Sequence, residues 1–202
     1  GGFKLYNCKL RFVYLCISKK YSMNIEAWYE ANFESKLSGR FVSLEHIIPL
    51  LDSYHDLFEI SIAGISELGR NIHLVKIGSG KKKVLAWSQM HGNESTTTKA
   101  VFDFLKFISQ EESFQKEINS FLDTFTIFLI PMLNPDGASL YRRENANFID
   151  LNRDAKILSQ KESDVLRRVF QGVGPELCLN LHDQRSIYGL DSGLSAMVSF
   201  LA

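Results

Sequence analysis

The chain has 202 residues, 45% of them apolar and 23% charged, the composition of a globular domain large enough to bury a core. Its 23 lysines and arginines balance 23 aspartates and glutamates, which argues against nucleic-acid binding, and no apolar run approaches the roughly 18 residues of a membrane span. The cysteines, Cys8, Cys16 and Cys178, form no C-x-x-C pair, against a disulfide scaffold or a cysteine-based zinc site.

The zero net charge hides an asymmetry. Residues 1–22 carry Lys4, Lys9, Arg11, Lys19 and Lys20 and no acid, a charge of +5, which leaves 18 basic and 23 acidic residues, or −5, in the remainder. The apolar stretch at 12–17 is shorter than the core of a secretory signal, and lysines and Tyr21 follow it where small residues belong. The leader therefore reads as an extension outside the fold, with Met23 as the natural start and the cytoplasm as the compartment.

A helical period runs over 23–36 through Ile25, Trp28, Tyr29 and Phe33. Ser43 opens a second helix with His46 at its third position and Ile47, Ile48, Leu50 and Leu51 as its apolar face. Two alternating runs, 58–65 and 72–77, joined through Gly69-Arg70-Asn71, predict a β-hairpin. A loop with three lysines precedes a strand over 84–90 and a helix over 95–108. A nearly continuous apolar strand follows at 125–132, then a helix over 160–171 closed by Gly172 or Gly174, then a buried strand at 177–181. Strands alternating with helices predict an α/β fold with a mixed, largely parallel central sheet flanked by helices. The expected organisation is a leader (1–22), a helical lead-in (23–56) and a domain beginning at 57.

Ligands in such sheets sit where strands run out into loops, and three polar clusters follow three apolar strands. They are His91-Gly92-Asn93-Glu94, then Asn134-Pro135-Asp136-Gly137 with the segment from Arg142 to Arg153, then His182-Asp183-Gln184-Arg185. An imidazole and a carboxylate three residues apart at a turn can converge on one point, with Gly92 letting the backbone bend. With His182 they make two histidines and one carboxylate, the donor set of a catalytic zinc ion with an open fourth position. His46, His55 and His73 have no partner pattern and read as surface or packing residues.

The succession HGNE, NPDG, R-x-N-A-N-x-x-D-L-N-R and a histidine on an apolar strand resembles the zinc metallocarboxypeptidase family, in its regulatory HGNE branch, over residues 58–202. The resemblance implies one zinc ion on His91, Glu94 and His182. It implies Arg143 as the group that polarises the scissile carbonyl and steadies the oxyanion, and Asn152 and Arg153 as the grip on the substrate's terminal carboxylate. Asp150 would hold His91 through its other ring nitrogen. Asn93 stands where digestive members carry arginine, Asp154-Ala155 where asparagine and an aromatic are usual, and Asp183 where serine or glycine is common. The family's general-base glutamate, mobile tyrosine and specificity pocket lie on later strands, so the chain reads as the front part of the domain, truncated at its C-terminal side and inactive alone.

The resemblance implies a zinc-dependent metallopeptidase of carboxypeptidase type, removing C-terminal residues from peptides by a zinc-activated water. The expected partner is a peptide or small acyl-amino-acid substrate with a free carboxylate, with neither nucleic acid nor membrane. Two other readings are an amidohydrolase of the aspartoacylase or succinylglutamate-desuccinylase type and a non-catalytic peptide-binding relative. NPDG with R-x-N-A-N favours the peptidase.

Overall fold

A computed structural model describes residues 25–110, 114–183 and 198–200; the leader, and the expectations made for it, lie outside them. Helix α1 (Ile25–Asn32) is shorter than its period suggested. The backbone N–H of Glu34 donates to Asp103 Oδ1 at 2.7 Å, so the chain leaves the helical ladder to bond a neighbouring element. Trp28 packs edge-on against Phe107 at 4.9 Å.

Helix α2 (Leu44–Ser53) starts at Ser43, whose N–H donates to His46 Nδ1 at 3.0 Å. His46 thus serves as the return arm of the cap. Leu44, Ile47, Leu50 and Leu51 are buried, whereas Ile48, expected on the same face, turns outward.

Strands β1 (Glu59–Ile65) and β2 (Asn71–Ile77) form the expected antiparallel hairpin, with a register shift between Ile62 and Gly64. Strand β3 (Lys82–Trp87) leads into helix α3 (Thr96–Gln110). Helix α4 (Gln115–Thr124) precedes strand β4 (Phe125–Ile130) and was not read from the sequence. Its apolar stripe is only Ile118, Phe121 and Leu122 among polar residues, and only Ile118 is buried. The short helix α5 (Pro135–Ser139), helix α6 (Lys161–Val173), strand β5 (Leu177–Asp183) and strand β6 (Val198–Phe200) follow.

The strands form one six-stranded mixed sheet in the order β1-β2-β4-β3-β5-β6. Parallel pairing joins β4 to β3 and β3 to β5, and antiparallel pairing adds β1–β2 on one flank and β6 on the other. One face packs on α2, α3 and α4 through a cluster that includes Ile47, Leu51, Val75, Ile77, Phe102, Leu105, Ile127 and Leu129. The other packs through Ile72, Ile130, Leu133, Leu151 and Val165 of α6. Both faces are covered, which is why β4 is apolar at nearly every position. Strand β5 is less enclosed than its sequence suggested. Leu177 and Cys178 are exposed, because among the described residues this end of β5 is laddered to β3 alone, β6 pairing only from Leu181 onward.

Helix α6 ends at Gly174, which takes a left-handed φ of 59° and donates its N–H to Phe170 O. A Cβ there would meet nothing within 4 Å, so its cost is confined to the backbone. Gly174→Ala is expected to lower the stability measured by urea denaturation by about 1 kcal/mol, the scale of the left-handed penalty for an L-residue.

Candidate metal centre

Because β3 lies between β4 and β5, the carboxyl ends of three parallel strands stand side by side, and the three polar clusters of the sequence meet there. The first leaves β3 through Gln89, a fully buried residue at φ 48°. Its side chain donates to Val42 O and Gly92 O, both at 2.8 Å, and accepts from the Thr98 hydroxyl at 2.7 Å. These bonds tie the lead-in, the HGNE turn and α3 to one amide. The turn closes through Glu94 N–H to His91 O at 3.0 Å.

Gly92 does not take a positive φ, so the bend expected of it is not its role. A Cβ at Gly92 would stand 2.0 Å from the carbonyl carbon of Gly137. Glycine is required because two backbones touch. The NPDG loop is held for that contact from several sides. Asn134 accepts from Gly137 N–H at 2.8 Å and donates to Met90 O at 3.2 Å. Asp136, fully buried, accepts from Arg70 Nη1 at 2.6 Å, the Ser66 hydroxyl at 2.9 Å and Leu68 N–H at 3.0 Å. The β1–β2 turn thereby braces the second loop.

The rest of the second cluster, from Arg142 to Arg153, is organised by Asn145, also fully buried. Its oxygen accepts from the N–H groups of Asn147 (3.0 Å) and Ile149 (3.1 Å), and its amide donates to Gln160 Oε1 (2.8 Å) and Glu162 Oε2 (3.1 Å). Arg143 Nε donates to Asp150 Oδ2 at 3.0 Å, and its Nη1 stands 3.4 Å from Glu94 Oε1.

At the centre lies the Glu94 carboxylate. Its Oε1 is 2.8 Å from His91 Nδ1, and its Oε2 is 2.8 Å from Nδ1 of His182, a residue within β5. The two imidazole rings are 4.7 Å apart. Burial works to raise the Glu94 pKa, but the contacts with His182 and His91 outweigh it and hold it at about 2. For Asp150, burial is likewise overcome by hydrogen bonds from His91 and Asn152 N–H and by the Arg143 charge, and its carboxyl is held below the usual range.

Donor atoms of His91, Glu94 and His182 lie within 4.8 Å of one another, a grouping that could hold one metal ion. The chemistry of the set agrees with a cation. His91 faces carboxylate oxygens with both nitrogens, Nδ1 to Glu94 and Nε2 to Asp150 at 3.0 Å. A neutral imidazole has only one N–H to give, and a cation at Nδ1 leaves Nε2–H for Asp150.

Arg153 is exposed, and Asn152 is half-buried with its N–H on Asp150 Oδ1 at 2.9 Å. Among the described residues neither side chain has a hydrogen bond or ion pair. Of the remaining histidines, His46 serves the α2 cap, His55 is an exposed neighbour of Asp52 and His73 is half-buried on β2.

The unusual Asp154 does not face the cleft. Its carboxylate is buried and accepts from Ser159 N–H (3.0 Å), the Ser159 hydroxyl (2.7 Å) and Gln160 N–H (3.0 Å), fixing the entry to α6. Burial raises its pKa, but these bonds from Ser159 and Gln160 outweigh it and the net shift is downward. A folded-state pKa below the unfolded one gives stability that is complete above about pH 4 and is lost as pH falls through the folded value. Asp154→Asn is expected to lower stability at neutral pH and to flatten its decline below about pH 4, read by urea midpoints from pH 2 to 7.

The family described as zinc carboxypeptidase matches residues 44–176, about two thirds of the chain. Mouse Carboxypeptidase M is 24% identical over 175 residues, covering 74% of this chain and 40% of that protein. A "Probable carboxypeptidase 2" of Trichophyton verrucosum is 24% identical over 104 residues, covering 50% of this chain and 20% of its own length. The chain thus spans well under half of these relatives. Among solved structures, a metallo-carboxypeptidase from Burkholderia cenocepacia superposes with a TM-score of 0.66 at 22% identity, over 71% of this chain and 41% of that one. Carboxypeptidase A from Helicoverpa armigera gives 0.57 at 20% identity, over 79% and 51%. The fold is theirs, and with the family match running from α2 through the HGNE turn, the NPDG loop and the segment from Arg142 to Arg153, the chain belongs to the zinc carboxypeptidase family.

Proposed function

We propose that the protein is a zinc-dependent metallopeptidase that releases C-terminal residues from peptides. His91, Glu94 and His182 hold the ion, Asp150 orients His91, Arg143 steadies the developing oxyanion, and Asn152 and Arg153 receive the substrate's terminal carboxylate. The observation that carries this reading is the buried Glu94 carboxylate set between Nδ1 of His91 and Nδ1 of His182, with Arg143 beside it. When bound, zinc supplies Lewis acidity and brings the pKa of a coordinated water toward about 7.

The chain's own residues divide the remaining work. The Arg143 guanidinium is fixed by Asp150, and a cation fixed in advance costs no reorganisation when charge develops on the carbonyl oxygen. The Arg153 guanidinium, without a hydrogen bond or ion pair among the described residues, can fork onto a carboxylate through two parallel N–H bonds, which a lysine cannot do.

His91→Ala is expected to weaken zinc binding, measured by chelator competition, by more than about 100-fold. Asp150→Asn should weaken it by about 10–100-fold, and His73→Ala should leave it unchanged. Equal zinc affinity in His91→Ala and His73→Ala would remove the metal assignment.

Arg153→Ala is expected to raise KM strongly for peptides with a free C-terminus and little for amidated ones. Arg143→Ala should lower kcat by about 10²–10³, because its contact strengthens in the transition state. Both are measured in the complete enzyme, and equal losses on free and amidated peptides in Arg153→Ala would sink the carboxylate anchor. Cleavage of N-acyl amino acids without cleavage of peptides would move the reading to an amidohydrolase.

A further inference from the structure

Helix α3 begins one residue after Glu94-Ser95, and its first amides are not satisfied from its own segment. Ser95 stands where a local cap would, yet its hydroxyl donates to Arg40 O at 2.6 Å. The Asp183 carboxylate, from the end of β5, takes that place. Its Oδ2 accepts from Thr96 N–H at 2.9 Å and its Oδ1 from Thr97 N–H at 3.2 Å. The Asp183 N–H donates to Glu94 Oε2 at 3.3 Å, and the Thr97 hydroxyl stands 3.5 Å from Leu181 O.

The arrangement follows from strand geometry. Adjacent side chains on a strand point to opposite sides, so His182 faces Glu94 while Asp183 faces the amides two and three residues beyond Glu94. A carboxylate at a helix N-terminus meets both the free N–H groups and the positive end of the dipole, and bonds to an ionised acceptor are stronger than neutral ones. His182 and Glu94 are separated by 88 residues of chain. Asp183 joins their two elements one backbone step from one of them. It also stands where the resembled family commonly has serine or glycine, and neither could bridge two amides with a carboxylate.

We propose that Asp183 is a positioning residue for the metal centre: by clamping the first turn of α3 to β5, it sets the separation of Glu94 from His182 and with it the fit of the site for zinc. This rests on the reading of His91, Glu94 and His182 as zinc ligands. Asp183 does not touch the ion; it acts through its two neighbours.

The test measures zinc affinity by competition with a chromophoric chelator, alongside thermal unfolding of the zinc-free protein, in the intact chain at a temperature where every variant is folded. Asp183→Ala is expected to weaken zinc binding about 10–100-fold, the range for an outer partner of a metal site. Asp183→Asn keeps one acceptor oxygen and should recover most of that loss. Gly174→Ala, which destabilises the fold away from the site, should bind zinc as the wild type does. Wild-type affinity in a destabilised Asp183→Ala overturns the proposal and leaves Asp183 as a plain helix cap. Should the alanine variant not fold, Asp183→Ser decides: a loss of tenfold or more supports positioning, and unchanged affinity overturns it. A wild-type protein that takes up no zinc refutes the underlying metal reading instead, and the positioning role falls with it.

Discussion

Three segments of this protein stack so closely that the first two cannot carry a side chain where each meets the next. A Cβ on Gly92 would fall 2.0 Å from Gly137, and one on Gly137 would fall 2.4 Å from Glu144 O. Real Cβ atoms do not tolerate such separations, so this stacking of HGNE on NPDG, and of NPDG on the segment bearing Arg143, holds only with glycine at both places. The rest of the site depends on it. With the backbones in contact, Asn134 reaches Met90 O, Arg143 reaches Asp150 and Glu94, and Asp150 reaches the far nitrogen of His91. A larger residue at Gly92 would part the loops and put Arg143 out of register with the carboxylates.

Close packing of polar loops exposes the fold to a second demand, because buried polar groups are costly unless paired. Asp136, Asn145 and Glu162 are each fully buried, and each is answered by named donors or acceptors in another segment. Asp136 takes Arg70, Ser66 and Leu68 of the hairpin turn, and Glu162 takes Glu67 N–H and the Asn145 amide. Burial pushes the Glu162 carboxyl upward even so. These bonds reach from the edge hairpin through α6 to the loop carrying Arg143. The hairpin therefore contributes to the site without touching it, by fixing the supports of residues that do.

The grouping of His91, Glu94 and His182 and the sheet that brings them together were legible in the sequence because both depend on short patterns: apolar strands ending in polar clusters, and H-x-x-E with a distant histidine on the third strand. What escaped depends on contacts between segments far apart in the chain. Gly92 looked like a hinge, and only the facing Gly137 shows it to be a contact. Asp154 stood out only as a departure from the family pattern, and only the amides of Ser159 and Gln160 show it to be the brace of a helix. Asp183 lies one residue from His182, and nothing near it in sequence reveals that the Thr96 and Thr97 amides wait for it. Helix α4 escaped because three apolar positions in ten residues are too weak a period to separate from a loop.

The two histidines are held by different means, and the difference explains why their surroundings look unequal. His91 lies in a turn, where the backbone alone fixes a ring poorly, and Asp150 takes its far nitrogen at 3.0 Å. In His182 the corresponding Nε2 is buried without a partner among the described residues. Its orientation comes from the strand instead: β5 is laddered to β3 on one side through Asn180 and to β6 on the other, where His182 pairs with Ser199. The His91 ring at 4.7 Å and the Glu94 carboxylate complete its confinement. A side chain on a paired strand starts with less freedom than one on a turn and needs fewer hydrogen bonds to reach the same precision. The carboxylate that a second outer partner would have supplied stands one residue further on, in Asp183, where it is spent on anchoring α3 rather than on the ring.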